Sequence, residues 1–384
     1  MRISFVSHEY PPLGGGASTA LEQTASRLAA AGHDVQVVTV GTGWKTVCER
    51  TDSGMEIVRM GVGRTRILAP GTKELLASCF GLRFMAFRHL RRFRPECMCA
   101  FFAFPAGYAM IRAAKRLNVP LLVSLRGSDV PGFSGERLGI FGKVLPWFFR
   151  TATRAAALVV PNGRRLAELA APHAGQAAVH VLPNGVDTDV FHPSASPRQD
   201  SVVRILFVGQ FIARKRCREL LEALAALPDH GPAMEVGLAG GGPLEPELQS
   251  LAARAPERVR VRFLGLTDRD HMPDVYRNHD LLVQISRSEG VSNVVLEGLA
   301  SGLAVLAAPE AVDGCLDGAG GIERLERFDP RTLGSVLDRL AGDRARLAAL
   351  QSEARASSSQ LGWGARIAEF ERIASRAVSD FSRS

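Results

Sequence analysis

The feature that most restricts this chain is an alternation running from end to end: short β-branched, apolar runs, each followed by an Ala/Leu/Arg-rich stretch of helical periodicity. Strands that lie parallel need a crossover of a dozen or more residues between them, and a helix supplies it. The alternation therefore predicts an α/β fold of parallel sheets wound with helices. In the first half, 3–7, 34–40, 56–60, 97–102, 120–124, 158–160 and 179–182 read as strands, and 18–31, 73–93, 106–117, 137–156 and 164–170 as helices. The polar segment His192-Pro193-Ser194-Ala195-Ser196-Pro197-Arg198-Gln199-Asp200 interrupts the series, and the strand 203–208 restarts it. Strands at 234–239, 259–264, 281–286 and 304–307 follow, with helices at 219–227, 331–340, 344–356 and 363–378. At 384 residues the chain exceeds what one hydrophobic core organises, since cores split into domains of about 100–200 residues. The expected division is 1–192, 193–362 and a C-terminal helix, 363–384.

Hydrophobic residues make up 46% and charged residues 22%, the balance of an ordinary folded protein. The N-terminus reads as a first strand rather than a signal peptide. The uncharged run 97–111 is broken by Pro105 and Gly107 and falls short of the ~18–20 apolar residues of a membrane span. A cytoplasmic protein is expected. The six cysteines show no zinc-type spacing and read as reduced, mostly buried thiols. A net charge of +8 invites a nucleic-acid partner, but neither cations interleaved with base-stacking aromatics nor a recognisable binding motif is present, so none is expected. The densest cationic run, Arg83, Arg88, Arg91, Arg92 and Arg94, alternates with Phe84, Phe87 and Phe93 at near-helical spacing. It reads equally as a basic amphipathic surface for anionic lipid headgroups, peripheral at the membrane's inner face, or as a solvated helix face with its phenylalanines in the core.

Chemistry concentrates in Ser286-Arg287-Ser288-Glu289-Gly290-Val291-Ser292-Asn293-Val294-Val295-Leu296-Glu297-Gly298. A strand ends, a glycine-bearing turn follows and a helix starts near Ser292 or Asn293, so unpaired amides and a positive dipole end converge where a diphosphate would sit. Glu289 precedes that helix end and Glu297 lies about one turn inside it. Acids in those places can accept hydrogen bonds from the hydroxyls at the two ends of a nucleotide sugar. Glu297 sits among Val294, Val295, Leu296, Leu299 and Ala300, so partial burial is expected. In Gly209-Gln210-Phe211-Ile212-Ala213-Arg214-Lys215, two cations follow a strand end and can stabilise a leaving diphosphate without a metal. Gly14, Gly15 and Gly16 follow the first strand and precede a helix that Ser18 would cap. They permit close backbone approach to a phosphate or sugar. Thr19 stands where a dinucleotide fingerprint needs its third glycine, which argues against a nicotinamide enzyme. Gly240-Gly241-Gly242-Pro243 serves as a tight turn or as a phosphate or ribose contact.

These residues together resemble the family 4 retaining glycosyltransferases. The pattern of Glu, seven residues, Glu is met by Glu289 and Glu297, and the similarity extends to Gly14–Gly16, Asn184-Gly185-Val186-Asp187 with Phe191, Gly240–Pro243 and Phe263-Leu264-Gly265. The resemblance implies a GT-B architecture of two Rossmann-like domains facing a cleft, the acceptor held by the first and the donor mainly by the second, with the final helix crossing back. It implies that Glu289 contacts the donor sugar, Glu297 the ribose, and Arg214 with Lys215 the diphosphate. Gly290, Val291, Ser292, Asn293, Gly209, Gly241 and Gly242 would complete the donor site.

Three positions depart from the family pattern. Gln210 stands in place of a common arginine, Arg216 in place of the glycine after the lysine, and Arg126-Gly127-Ser128-Asp129 in place of a His-Gly-x-Asp element of the acceptor loop. Arg126 is expected to face phosphate or an anionic acceptor instead of supplying a histidine contact. The expected activity is retaining transfer of a hexosyl group from a nucleotide diphosphate sugar, with no cofactor and no metal, to a lipid-linked or polysaccharide precursor. A binding protein that has lost transfer, or a nucleotide-sugar epimerase of the same architecture, are the alternatives.

Overall fold

The computed structural model describes residues 1–67, 70–133, 141–194 and 201–383. The chain divides into two compact units, Met1–Asn184 with Gly364–Ser384, and Gly185–Trp363. The division falls ahead of the 192–200 segment where the sequence places the linker, and residues 195–200 lie outside the described ones. The physical reason lies in the turn at 184–187. Val186 N–H donates to the Leu361 carbonyl at 2.9 Å, and a Cβ on Gly185 would lie 2.7 Å from the Trp363 Cα. The residues after Asn184 are thus tied to the second unit before the polar segment begins.

In the first unit, strands β1 (Arg2–Val6), β2 (Asp34–Gly41), β3 (Val47–Arg50), β4 (Glu56–Gly61), β5 (Cys97–Phe101), β6 (Leu121–Leu125), β7 (Leu158–Pro161) and β8 (Ala178–Val179) form a sheet in the order β3-β4-β2-β1-β5-β6-β7-β8. Every pairing is parallel except β3 with β4. β5, β6 and β7 are buried along their whole length, so they read as near-continuous apolar runs, with Ser124 the polar residue in β6, rather than as alternating ones. β3 is exposed throughout at the sheet edge, and its Cys48, Glu49 and Arg50 gave the sequence no strand signal. The terminal helix Trp363–Phe381 belongs to this unit from Gly364 onward. Its Phe370 ring lies 5.5 Å from Phe5, Glu371 meets His33 at 2.8 Å, and Glu369 meets His180 at 2.6 Å.

Some helices start or divide elsewhere than expected. The 73–93 stretch forms two, Thr72–Met85 and Phe87–Phe93. The helix expected from 106 starts at Tyr108, and that expected from 137 is described as Phe141–Ala155, residues 137–140 lying outside the described ones. The first helix is Gly16–Ala30, with Gly15 at the N-cap and Ser18 buried inside, so Ser18 does not cap it.

The second unit carries β9 (Val203–Val208), β10 (Met234–Ala239), β11 (Val259–Gly265), β12 (Leu281–Gln284), β13 (Ala304–Ala307) and β14 (Ile322–Arg324), all parallel, in the order β11-β10-β9-β12-β13-β14. β14 was not anticipated. From β9 the chain steps outward through β10 to β11, then returns to the other side of β9 with β12. That reversal makes a switch point between β9 and β12, and ligands of open α/β sheets bind beyond the carboxyl ends of the strands there. The first sheet has the corresponding reversal between β1 and β5. One face of the second sheet packs Ile205, Phe207, Leu220, Leu224 and Leu337 into a core, and the other packs Leu206, Leu282, Val295 and Leu299.

Candidate active site

At the second switch point, β9 runs into Gly209 and β12 into the 285–292 loop, which feeds the helix Asn293–Ala300. Gly298 lets this helix lie close to β12, because a Cβ there would come within 2.7 Å of the Leu282 side chain. Ser292 occupies the N-cap with extended backbone, but its hydroxyl accepts from the Gln284 side-chain amide at 3.2 Å and makes no cap hydrogen bond. Helix geometry leaves the first-turn amides without an intrahelical acceptor, so the positive dipole end of the helix lies at Asn293. Gly290, Val291 and Ser292 are buried beside it, and Asn293 is half-buried.

Glu289 is the centre of an ionic cluster. Lys215 Nζ donates to its Oε1 at 2.6 Å and Arg214 donates to the same oxygen at 3.1 Å. Arg214 also donates to the Ser288 carbonyl at 2.9 Å, and its own carbonyl accepts from Arg287 N–H at 2.9 Å. The side chain of Glu289 is 15% exposed and that of Lys215 13%. Burial pushes the Glu289 carboxyl up, and Lys215 and Arg214 outweigh it, so the group lies below its ordinary value and stays ionised. Two cations against one carboxylate leave one surplus positive charge in a partly dry site.

Glu297 has the opposite environment. It is half-buried, its Oε2 accepts from the Tyr276 hydroxyl at 2.8 Å, and burial raises its carboxyl to about 7 against the smaller opposing effects of Tyr276 and Arg269. Tyr276 is fully buried, with Phe191 edge-on at 5.6 Å. The Phe191 segment therefore supports Glu297 through Tyr276. Sequence reasoning missed Tyr276, which carries no spacing signal on its short helix, Met272–Arg277.

The glycine loops are laced together. Gly209 N–H donates to the Ala239 carbonyl at 2.9 Å, Phe211 N–H to the Gly241 carbonyl at 2.9 Å, and Gly240 N–H to the Gly265 carbonyl at 2.8 Å. Gly240 has φ +145°, and a Cβ there would lie 2.0 Å from the Gly209 carbonyl oxygen, so side-chain-free backbone is mandatory. Gly242, with a Cβ position 2.7 Å from the Phe211 carbonyl oxygen, is constrained in the same way. Arg216 adopts φ +56°, the left-handed conformation glycine takes most readily. Its guanidinium stacks 3.8 Å from the Phe328 ring centroid and meets Glu310 at 3.4 Å, contacts that offset the strain. The Glu310 carbonyl in turn accepts from Glu289 N–H at 3.2 Å.

In the first unit, Gly14, Gly15 and Gly16 follow β1 as expected of a loop at a switch point. Gly14 has φ +97°, and Glu9 occupies the space where its side chain would be, 2.7 Å away. Burial raises the Glu9 carboxyl to about 7 against opposing effects from Arg64 and the Gly15 N–H. Arg64, fully buried, donates to the carbonyls of His8 at 2.6 Å, Arg66 at 2.8 Å and Ile67 at 3.1 Å, which fixes the loop from below. Neither Glu9 nor Arg64 was singled out from sequence. Asp129 is buried, and its carboxylate accepts from the amides of Ala103 at 2.6 Å, Gly127 at 3.0 Å and Arg126 at 3.1 Å. It shapes the loop that presents Arg126.

The cysteines are free, four of them buried, Cys315 intermediate and Cys48 exposed. Of the Phe-rich basic run, Phe84 is exposed while Phe87 packs on the core. Among the described residues no helix is long and apolar enough to cross a membrane.

The model described as Glycosyltransferase Family 4 matches residues 14–190, and that described as Glycosyl transferases group 1 matches 202–343. D-inositol 3-phosphate glycosyltransferases from Xylanimonas cellulosilytica and Nocardiopsis dassonvillei are 29% identical over 290 residues and 30% identical over 295, covering 67% and 69% of this chain. The chain spans 66% of the length of each. Sucrose-phosphate synthase from Thermosynechococcus elongatus superposes with a TM-score of 0.80 at 18% identity, over 99% of this chain and 100% of that one. Anabaena HepE in complex with UDP and glucose superposes with a TM-score of 0.70 at 19% identity, over 98% and 100%. With the family models matched along both units and the GT-B fold shared over nearly its full length, the chain belongs to family 4 of the retaining, nucleotide-sugar-using glycosyltransferases.

Proposed function

We propose that the second unit holds a nucleotide diphosphate sugar, and that the chain transfers its sugar, with retention, to a hydroxyl of an acceptor received by the first unit. The observation that carries this reading is the contrast between two carboxyls at one switch point. Glu289 is held ionised by Lys215 and Arg214, while Glu297 is half-buried against a tyrosine hydroxyl, with its carboxyl raised to about 7. An ionised carboxylate beside a helix amide end suits a sugar hydroxyl. The surplus positive charge of the cluster suits the diphosphate, and Glu297 suits the ribose hydroxyls, which donate to a carboxylate.

In the step we propose, the bond from the anomeric carbon to the phosphate oxygen breaks as the bond to the acceptor oxygen forms on the same face. The acceptor proton passes to the departing phosphate oxygen, whose charge Arg214 and Lys215 stabilise. Every group in this step belongs to the protein, the donor or the acceptor, and it calls for no metal.

The acceptor we propose is a lipid-linked or polysaccharide precursor, met at an anionic membrane surface. Leu76, Phe80 and Phe84 stand 46%, 62% and 56% exposed along the helix Thr72–Met85, with Lys73, Arg83, Arg88, Arg91 and Arg92 nearby in sequence. Exposed phenylalanines flanked by cations match an interface of acyl chains and anionic headgroups. A thermal-shift screen of nucleotide diphosphate sugars, followed by nucleotide-release assays, tests the proposal. Stabilisation by one donor with slow release of its nucleoside diphosphate supports transfer. Binding with no release supports a non-catalytic binding protein, interconversion of sugar epimers supports an epimerase, and indifference to every donor refutes the reading.

A further inference from the structure

Arg126 follows β6, between the carboxyl ends of β5 and β7, on the edge of the first sheet where ligands of open α/β folds collect. Its guanidinium lies 3.9 Å from the Phe101 ring centroid and makes one side-chain hydrogen bond, from NH1 to the Asn184 Oδ1 at 2.8 Å. Its Nε is buried and, among the described residues, has no hydrogen-bond partner. Among the described residues no carboxylate lies within ion-pairing distance of it. Asp129, the nearest acid in sequence, has its oxygens on three backbone amides. Asn162, buried just past the end of β7, donates its backbone N–H to the carbonyl of Leu125, the residue before Arg126, at 3.2 Å, and among the described residues its side-chain Oδ1 has no partner.

A guanidinium is charged at any physiological pH, and Arg126 is half-buried, so its partial removal from water without an anion is unfavourable. Burial pulls its proton affinity down to about 10, which still leaves it cationic at neutral pH. One neutral amide and one ring face leave that cost uncompensated, and a buried Nε donor with no partner among the described residues marks a polar site suited to an acceptor from outside the chain.

We infer that Arg126 anchors an anion subsite in the first unit, which takes the carboxylate, phosphate or sulfate of an acidic substrate. This rests on the transferase reading, since it assigns a charge to a molecule that reading brings to this unit. The planar fork is suited to bidentate pairing with such a group, and the fixed stack on Phe101 pre-orients it. The anion belongs either to the acceptor or to the sugar of the donor, and the two sources call for different outcomes.

The test is calorimetric titration of inorganic phosphate into protein already saturated with UDP, or with whichever nucleoside diphosphate the screen identifies, so that the cations of the second unit are occupied. Saturable phosphate binding by the wild type is expected. Arg126→Met should weaken it at least tenfold, and Arg126→Lys, which keeps the charge, should hold it within a few-fold. Unfolding midpoints of both nucleotide-bound variants separate loss of the site from loss of the fold. Replacing the nucleotide with UDP-glucose and then UDP-glucuronate distinguishes the sources. Exclusion of phosphate by the uronate alone places the anion on the donor sugar, and exclusion by neither places it on the acceptor. Equal phosphate binding by wild type and Arg126→Met, or no uptake by the wild type, overturns the inference. Absence of nucleotide binding in the first step overturns the transferase reading instead.

Discussion

Replacing Glu297 with Gln tests the link between burial and ligand binding. In the ligand-free protein the carboxyl is raised from 4.5 to about 7, mainly by burial. Because the folded state holds this proton more tightly than the unfolded chain, the group's contribution to stability is fully present below the unfolded value and is lost as pH rises through 7. The interval from 4.5 to about 7, at about 1.4 kcal/mol per pH unit, amounts to about 3 kcal/mol. Glu9 titrates in the same direction over the same range, so the wild-type slope contains both groups. Only the difference between wild type and Glu297→Gln isolates Glu297. Urea unfolding at pH 5 and pH 8, without ligand, should show the variant losing about 2.5 kcal/mol less than the wild type, since pH 5 already lies above the unfolded value. Ribose hydroxyls stabilise the ionised form, so nucleoside diphosphate affinity of the wild type should rise with pH through 7, by roughly tenfold or more, and in the variant stay flat and weaker. Parallel stability curves within about 1 kcal/mol would refute the assignment of burial to this carboxyl. A flat affinity profile in the wild type would refute its contact with the ribose.

Lys215→Ala leaves Glu289 with one cation in a mostly buried site and should lower stability by about 2–3 kcal/mol, read by denaturant unfolding, while nucleotide release with a donor falls by about 10²–10³. Gly240→Ala must displace the Gly209 carbonyl 2.0 Å from the new Cβ, and should cost about 3 kcal/mol or more while abolishing donor binding, as a thermal-shift titration would show. Phe80→Ser with Phe84→Ser should reduce co-sedimentation with vesicles rich in phosphatidylglycerol by about tenfold without changing the unfolding midpoint beyond a degree or two, because both rings are already exposed. Unchanged sedimentation would remove the membrane surface from the proposed acceptor.

What could be read from the sequence follows from how each signal arises. Strands buried on both faces, such as β5 and β12, announce themselves as largely apolar runs, and their positions along the chain were legible because a parallel sheet demands an intervening helix each time. The edge strand β3 is exposed and polar, so neither hydrophobic period marks it, and β14 is too short to show one. The same logic divides the candidate site. Glu289, Glu297, Arg214 and Lys215 stand where a strand meets a helix or loop, and local sequence locates such junctions. Their state is set by contacts far along the chain. Lys215 and Arg214 hold Glu289 below its ordinary value, while burial raises Glu297 against the hydrogen bond from Tyr276, which approaches from a helix whose sequence carries no sign of that contact. Glu9 and Arg64 are likewise polar residues whose burial depends on the segment after β4 folding under the Gly14 loop, a long-range event with no local pattern. Arg126 shows the limit most plainly. A substitution at one loop position was visible in the sequence, but only the structure shows that, among the described residues, no carboxylate comes within ion-pairing distance of its guanidinium, and the proposed anion subsite rests on that geometry.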